Sequence, residues 1–192
     1  MPGGVRDRVL DATKTCSERW GIAKVTVDDI ATEAGVSRAT LYRLFPGGRD
    51  VLYDALRVRE TEEFMAELTE RIQGARGFED LVVRVVTNAT RMLQADEHIK
   101  IMLASEPGEV ATDLTVEGLP RIFRAATLFF TPVFAPHIGR DASARLAEWL
   151  ARVVISYFLA PSRFVDLSDD ASATAFVRTF VLPAFPSIPS GR

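Results

Sequence analysis

The segment TVDDIATEAGVSRATLYRLF, residues 26–45, constrains this chain more than any other, because its residue types at these spacings suit two short helices crossing at a steep angle. Thr26 can cap the first helix, Asp28 to Ala34, with Asp29 as a short-armed capping-box partner. Ile30 supplies an inward contact, and Ala31 stays small where the second helix crosses closest. Gly35 fits a left-handed turn that a residue with a Cβ enters only at a cost. Val36 anchors the turn, Ser37 can cap the second helix, and Leu41 and Phe45 lie on its inner face. Arg38, Ala39, Thr40, Tyr42 and Arg43 remain outward, and no acid interrupts Val36 to Arg49. A helical hairpin with a polar exterior would need few of these features. Cap, small residue, glycine, second cap and acid-free basic face together point to a helix-turn-helix that reads double-stranded DNA.

The net charge of −3 on 192 residues suits a nucleic-acid partner only when divided along the chain. Residues 1–57 hold nine Lys/Arg and eight Asp/Glu, a net of +1, which leaves −4 for the remainder. The basic footprint is therefore small, and phosphate affinity should be modest and salt-dependent. Hydrophobic residues at 47% against 26% charged mark a packed globular chain. The lone Cys16 cannot form an intramolecular disulfide and falls on an apolar stripe, as a buried core thiol would. The first residues lack the apolar segment of a signal peptide, and the apolar stretches 125–138 and 146–160 are broken by Pro132 and Pro136 or by Glu148 and Arg152. A cytoplasmic location is expected.

Helical periodicity runs through the rest, so the expected fold is all-α. Val5, Val9, Ala12, Cys16 and Trp20 mark a first helix ending at Gly21. Pro46-Gly47-Gly48 breaks the chain, dividing a DNA-binding domain over residues 1–48 from a helical ligand-binding and dimerisation domain over 49–192. A long helix from Arg49 to about Ile72 should transmit between them. Phe78 to Leu93 keeps helical spacing despite many β-branched residues. A shorter segment runs from His98 to Ser105, and another helix from about Leu119 to Phe130, where Pro132 should kink or stop it. The last two helices, about 142–160 and 171–183, carry stripes broad enough to pair two copies as a four-helix homodimer interface. The tail Ser187 to Arg192 should fray.

In order and spacing, RVLDAT, Gly21, TVDDIATEAGVSRATLYRLF and FPGGRDVL resemble the tetracycline-repressor (TetR) family of bacterial regulators, specifically over about residues 8–56. The resemblance implies an N-terminal three-helix DNA head, a divergent helical ligand-binding domain and dimerisation through the last two helices. It places Thr26, Thr40, Tyr42, Arg43 and Arg49 at backbone phosphates, and Ser37, Arg38 and Ala39 near base edges. Chemistry agrees: Arg38 can fork onto a guanine edge and Ala39 can touch a thymine methyl, while hydroxyls and Arg49 position the head without reading sequence. The chain departs from the pattern twice. Ser17 stands where an inward aromatic is common, with Trp20 expected to fill the space, and FPGGRD is one residue longer than the usual link.

An apolar or amphipathic small-molecule ligand is expected in the second domain. Candidate pocket walls are Met92, Met102, Ile122, Phe123, Phe129, Phe130, Phe134, Trp149 and Tyr157, any of which could equally be ordinary core. Asn88 shares a helix face with Leu81, Val85 and Met92; it could fix a ligand, serve an interhelical bond, or sit in water at the stripe's edge. His98 and His137 lack companions at metal-ligand spacing, so no metal and no cofactor is expected. No nucleophile elbow, P-loop, dinucleotide glycine pattern or acid pair marks an enzyme. The expected function is a ligand-released repressor that binds a pseudo-palindromic operator as a dimer. The alternative is a DNA-binding regulator whose second domain only dimerises or binds a protein.

Overall fold

The computed structural model describes residues 4–97, 99 and 118–186. Apart from Ile99, the segment from His98 to Ser105, which includes Met102, and the tail from Ser187 lie outside the described residues. Among the described residues the chain forms α-helices and no strand: α1 Val5–Trp20, α2 Val27–Glu33, α3 Arg38–Leu44, α4 Arg49–Arg71, α5 Phe78–Ala95, α6 Gly118–Ile138, α7 Arg140–Leu159 and α8 Asp170–Phe176. A 3₁₀ turn at Ile22–Lys24 joins α1 to α2, and a π turn at Val177–Val181 extends α8. The chain clusters into two units, one running through Glu62 and the other beginning at Glu63, so α4 contributes residues to both.

The first unit is built on α1, whose Val9, Leu10, Ala12 and Cys16 are buried against Val25, Ile30, Ala31, Leu41 and Phe45. Leu52 and Leu56 of α4 complete this core. Trp20 does not fill the space beside Ser17: at the last residue of α1 it is 43% exposed, with the Arg19 guanidinium over its ring. Tyr53 of α4 takes that place. Its hydroxyl lies 2.9 Å from Ser17 Oγ, which itself donates to the Thr13 carbonyl at 2.7 Å. A small polar residue on α1 thus gains an aromatic from another element, and the buried hydroxyls satisfy each other. Lys14 pairs with Glu60 at 3.0 Å and Arg59 with Asp11 at 2.8 Å, fixing α4 to α1.

In the second unit, Leu68 and Ile72 of α4 join Phe78, Leu81, Val82, Val85, Val86 and Ala89 of α5, whose apolar spacing puts them on one broad face. α6 continues past Pro132, where a kink or stop was expected, and on through Pro136 to Ile138. Phe134 and Ile138, beyond Pro132, are buried, and the Thr127 and Thr131 hydroxyls bond carbonyls of the preceding turn at 2.8 and 2.6 Å. Core packing on both sides of each proline outweighs the backbone bonds it removes. α7 buries Leu146, Ala147, Leu150 and Val154, and α8 with its π turn buries Ala173, Phe176, Val177 and Val181. Arg178 bonds Glu79 at 2.7 Å and Arg91 reaches Asp170 at 3.2 Å, tying the last elements to α5.

Candidate nucleic-acid interface

α2 and α3 owe their ends to side chains named from the sequence. Thr26 Oγ1 accepts from the Asp29 amide at 3.2 Å, while the Asp29 carboxylate accepts from the Thr26 amide at 2.9 Å and from its hydroxyl at 2.6 Å. Those bonds hold the Asp29 carboxyl below its ordinary range. The Ala34 amide closes the last turn on the Ile30 carbonyl, and Gly35 follows at φ +63°. A Cβ at Gly35 would meet nothing within 4 Å, so backbone conformation and not space explains this glycine. Ser37 Oγ accepts from the Thr40 amide at 3.1 Å, capping α3.

Leu41 and Phe45 are wholly or almost wholly buried, and that sets the roll of α3. Arg38, Ala39, Tyr42 and Arg43 are consequently exposed, and Thr40 is half-buried with its hydroxyl 3.0 Å from Ser37 Oγ. At the C-terminal end, Arg6 of α1 lies 4.6 Å above the Phe45 ring. Tyr42 lies over Gly48, where a Cβ would come within 3.2 Å of Cε1, so the second glycine of Pro46-Gly47-Gly48 lets the ring lie against the turn. Thr26, Ser37, Arg38, Ala39, Thr40, Tyr42 and Arg43 all belong to these capped helices. Arg49 stands apart: half-buried at the start of α4, it donates to the Ile22 carbonyl and stacks 5.5 Å from the Tyr53 ring, so its guanidinium also braces the head.

One participant was missed by sequence reasoning. The exposed face is not acid-free, because Asp28 of α2 pairs with Arg38, its Oδ1 and Oδ2 lying 3.2 and 3.0 Å from Arg38 Nη1. The Arg38 guanidinium also sits 5.5 Å from the Tyr42 ring. Tyr42 and Asp28 both favour its charged form.

The residues named as pocket walls are dispersed. Met92, Phe130 and Phe134 are buried in the core of the second unit. Phe129, Trp149 and Tyr157 pack against that core half-buried, with Trp149 6.2 Å from Phe185 and Tyr157 edge-on to Phe176 at 5.8 Å. Ile122 is half-buried. Phe123 lines an open cleft of about 700 Å3 with Leu119, Pro120, Arg124, Thr127, Leu128, Glu148 and Arg152, and Arg152 covers its ring at 4.1 Å. The Asn88 amide donates to the Arg84 carbonyl at 2.8 Å, so its polar group is engaged within its own helix. One residue away, the Thr87 hydroxyl is buried with no hydrogen-bond partner among the described residues, a feature that no local pattern in the sequence marks. His137 stacks on Phe78 at 5.6 Å, and no group of metal-ligating side chains occurs among the described residues.

Comparison with known proteins bears on the whole chain. A family model described as bacterial regulatory proteins of the tetR family matches residues 9–56. An uncharacterised HTH-type transcriptional regulator of Mycobacterium bovis is 35% identical over 188 residues, covering 93% of this chain and 92% of the relative. The TetR family repressor AlkX from Dietzia sp. strain DQ12-45-1b, implicated in biodegradation of n-alkanes, superposes with a TM-score of 0.69 at 26% identity, covering 91% of this chain and 95% of AlkX. FadR of Bacillus halodurans, a fatty acid degradation regulator, shares the fold at a TM-score of 0.58 and 18% identity, over 92% of this chain and 96% of its own. These relatives are regulators and not enzymes, and among the described residues no helix is long and apolar enough to cross a membrane. With a capped, outward-facing α3 and a relative matched along nearly its full length, the chain belongs to the TetR family of helix-turn-helix transcriptional regulators.

Proposed function

We propose that this regulator is a cytoplasmic homodimeric repressor in which residues 1–48 read a pseudo-palindromic operator and residues 49–192 dimerise and bind an apolar or amphipathic small molecule that releases the DNA. The observation that carries the DNA half is the roll of α3, with Leu41 and Phe45 inward and Arg38, Ala39, Tyr42 and Arg43 outward. On this reading Ser37, Arg38 and Ala39 approach base edges, while Thr26, Thr40, Tyr42, Arg43 and Arg49 hold phosphates. Two heads in successive major grooves would require half-sites about 34–36 Å apart, or a multiple of that.

Three features support the sensing half. AlkX, similar along most of the chain, is implicated in n-alkane biodegradation, which favours an apolar effector. The Thr87 hydroxyl is a buried polar group without a partner among the described residues, in a core otherwise rich in aromatic and aliphatic side chains. α4 supplies residues to both units and is the natural route for a signal. A second reading, in which the C-terminal domain only dimerises or binds a protein, draws on the ring pairs that fill the core, Phe78 with Phe134 and Phe130 with Phe134.

The DNA assignment is tested with two arginines. Arg38→Ala should cost about 1–3 kcal/mol and relax preference at one base pair, whereas Arg43→Ala should weaken operator and scrambled DNA alike. Arg43 is the better phosphate probe, because Arg49 also braces Ile22 and Tyr53. Equal losses on both DNAs for Arg38→Ala would remove Arg38 from base reading. For the sensing half, alkanes and fatty acids of graded length are titrated against a preformed protein–operator complex at fixed salt. Effectors that bind without lowering operator affinity would favour the dimerisation-only reading.

A further inference from the structure

A carboxylate on a surface meant for phosphates is electrostatically unfavourable, so Asp28 needs a reason to stand there. The capping box does not supply one, because Asp29 performs that role with Thr26. Nor is the Asp28 side chain part of the core: it is 64% exposed and its carboxylate meets Arg38, itself 61% exposed. An exposed ion pair of this kind contributes little to stability. Its geometry is informative instead. Both carboxylate oxygens contact Nη1, so the pair does not use the Nε–Nη2 edge, which has the spacing of a guanine O6/N7 pair. The Tyr42 ring, settled over Gly48, limits the guanidinium from another side. An unrestrained arginine can contact phosphates or several base edges in many rotamers; one held by a carboxylate is pre-organised for one.

We propose that Asp28 is a specificity-determining positioning residue, holding Arg38 by Nη1 so that its remaining edge meets a guanine in the operator half-site, and disfavouring phosphate contacts that would bind any sequence. This rests on the DNA-reading role of α3 proposed above. Two consequences oppose each other in sign, which separates positioning from a merely structural role. Losing the carboxylate should relax the preference for one base pair, yet leave binding to unrelated DNA equal or tighter, since a negative charge has left the interface.

The test uses the full-length protein and an operator fragment obtained by selecting bound genomic DNA. Wild type, Asp28→Ala, Arg38→Ala and the double variant are titrated at fixed salt against that fragment, its single base-pair substitutions and a scrambled duplex. Thermal melts check that the exposed substitutions leave the fold intact. In the wild type, preference for G·C at the position read by Arg38 should be about ten- to hundred-fold, as expected of a bidentate contact. Asp28→Ala should reduce that preference at least five-fold at the same position, with scrambled DNA bound equally or more tightly. In the Arg38→Ala background the Asp28 substitution should change the preference less than two-fold. Unchanged discrimination in Asp28→Ala, or a uniform loss on all DNAs, overturns the proposal while leaving DNA reading by α3 in place. A wild type that does not distinguish operator from scrambled DNA overturns both.

Discussion

Thr87 shows how much one atom can reveal. Its hydroxyl lies in the core of the second unit with no partner among the described residues, whereas Thr90 on the same helix bonds the Val86 carbonyl at 2.8 Å. A buried unsatisfied hydroxyl costs about 1–3 kcal/mol, and valine nearly preserves its shape. Thr87→Val should therefore raise the urea midpoint of the ligand-free protein by the equivalent of about 1 kcal/mol, and should blunt the response to an effector that uses the hydroxyl. A lowered midpoint would mean that the hydroxyl is already bonded. The sequence directed attention to Asn88 because a buried amide demands partners, yet that amide is answered within its own helix turn. The same limit hid Asp28 and Tyr53. Asp28 meets Arg38 from ten positions away and Ser17 meets Tyr53 from thirty-six, and only the crossing of helices brings such residues together. Thr26, Ser37, Leu41 and Phe45 were legible because a cap and an inward stripe are local consequences of helical geometry.

At the scale of elements, α2 depends on the reciprocal bonds of Thr26 and Asp29, which close orphan amides at its start. Thr26→Ala should destabilise the head by about 1 kcal/mol, as loss of an N-cap usually does. Asp29 adds a pH signature. Its folded carboxyl titrates below its ordinary value because it accepts the side-chain and backbone bonds of Thr26. The folded state thus binds fewer protons than the unfolded one, and the contribution is complete above the unfolded pKa of about 4 and lost as pH falls through the lower folded value. Asp29→Asn should melt below wild type at neutral pH, and the gap should narrow as the pH drops below about 4. A constant gap from pH 7 to pH 3 would assign the effect to geometry and not charge. Among the described residues helix existence was legible from apolar spacing, but two features of the elements were not. Pro132 read as a breaker because local rules cannot weigh the burial of Phe134 and Ile138, and a π turn at Val177–Val181 leaves no local pattern distinct from an α-helix.

For the molecule as a whole, the unresolved demand is what covers the apolar residues of the last elements. Phe180 is 57% exposed, yet its ring lies 5.2 Å from Phe176, which meets Tyr157 at 5.8 Å, so an aromatic row reaches the surface from the core. Leu159 is exposed at the end of α7. A second copy related by a two-fold axis would bury the same residues on both protomers, as an isologous interface requires. Function adds its own demand. With Arg38 tied to Asp28 and Arg49 bracing Ile22, Arg43 contributes the least encumbered local charge of the three, and a single head should hold one half-site weakly. Joining two heads raises the local concentration of the second, an advantage of about 10²–10⁴ when spacing matches. Phe180→Glu places a carboxylate in the proposed seam, and the exposure of Phe180 in one copy means that the fold of the protomer should survive. The variant should sediment as a monomer with its helical content before melting unchanged. Its operator affinity should fall about 10²–10⁴-fold, while affinity for an isolated half-site stays within a few-fold of wild type. A variant that remains dimeric would move the interface away from α8 and its π turn. A monomer binding the full operator as tightly as wild type would refute the need for paired heads.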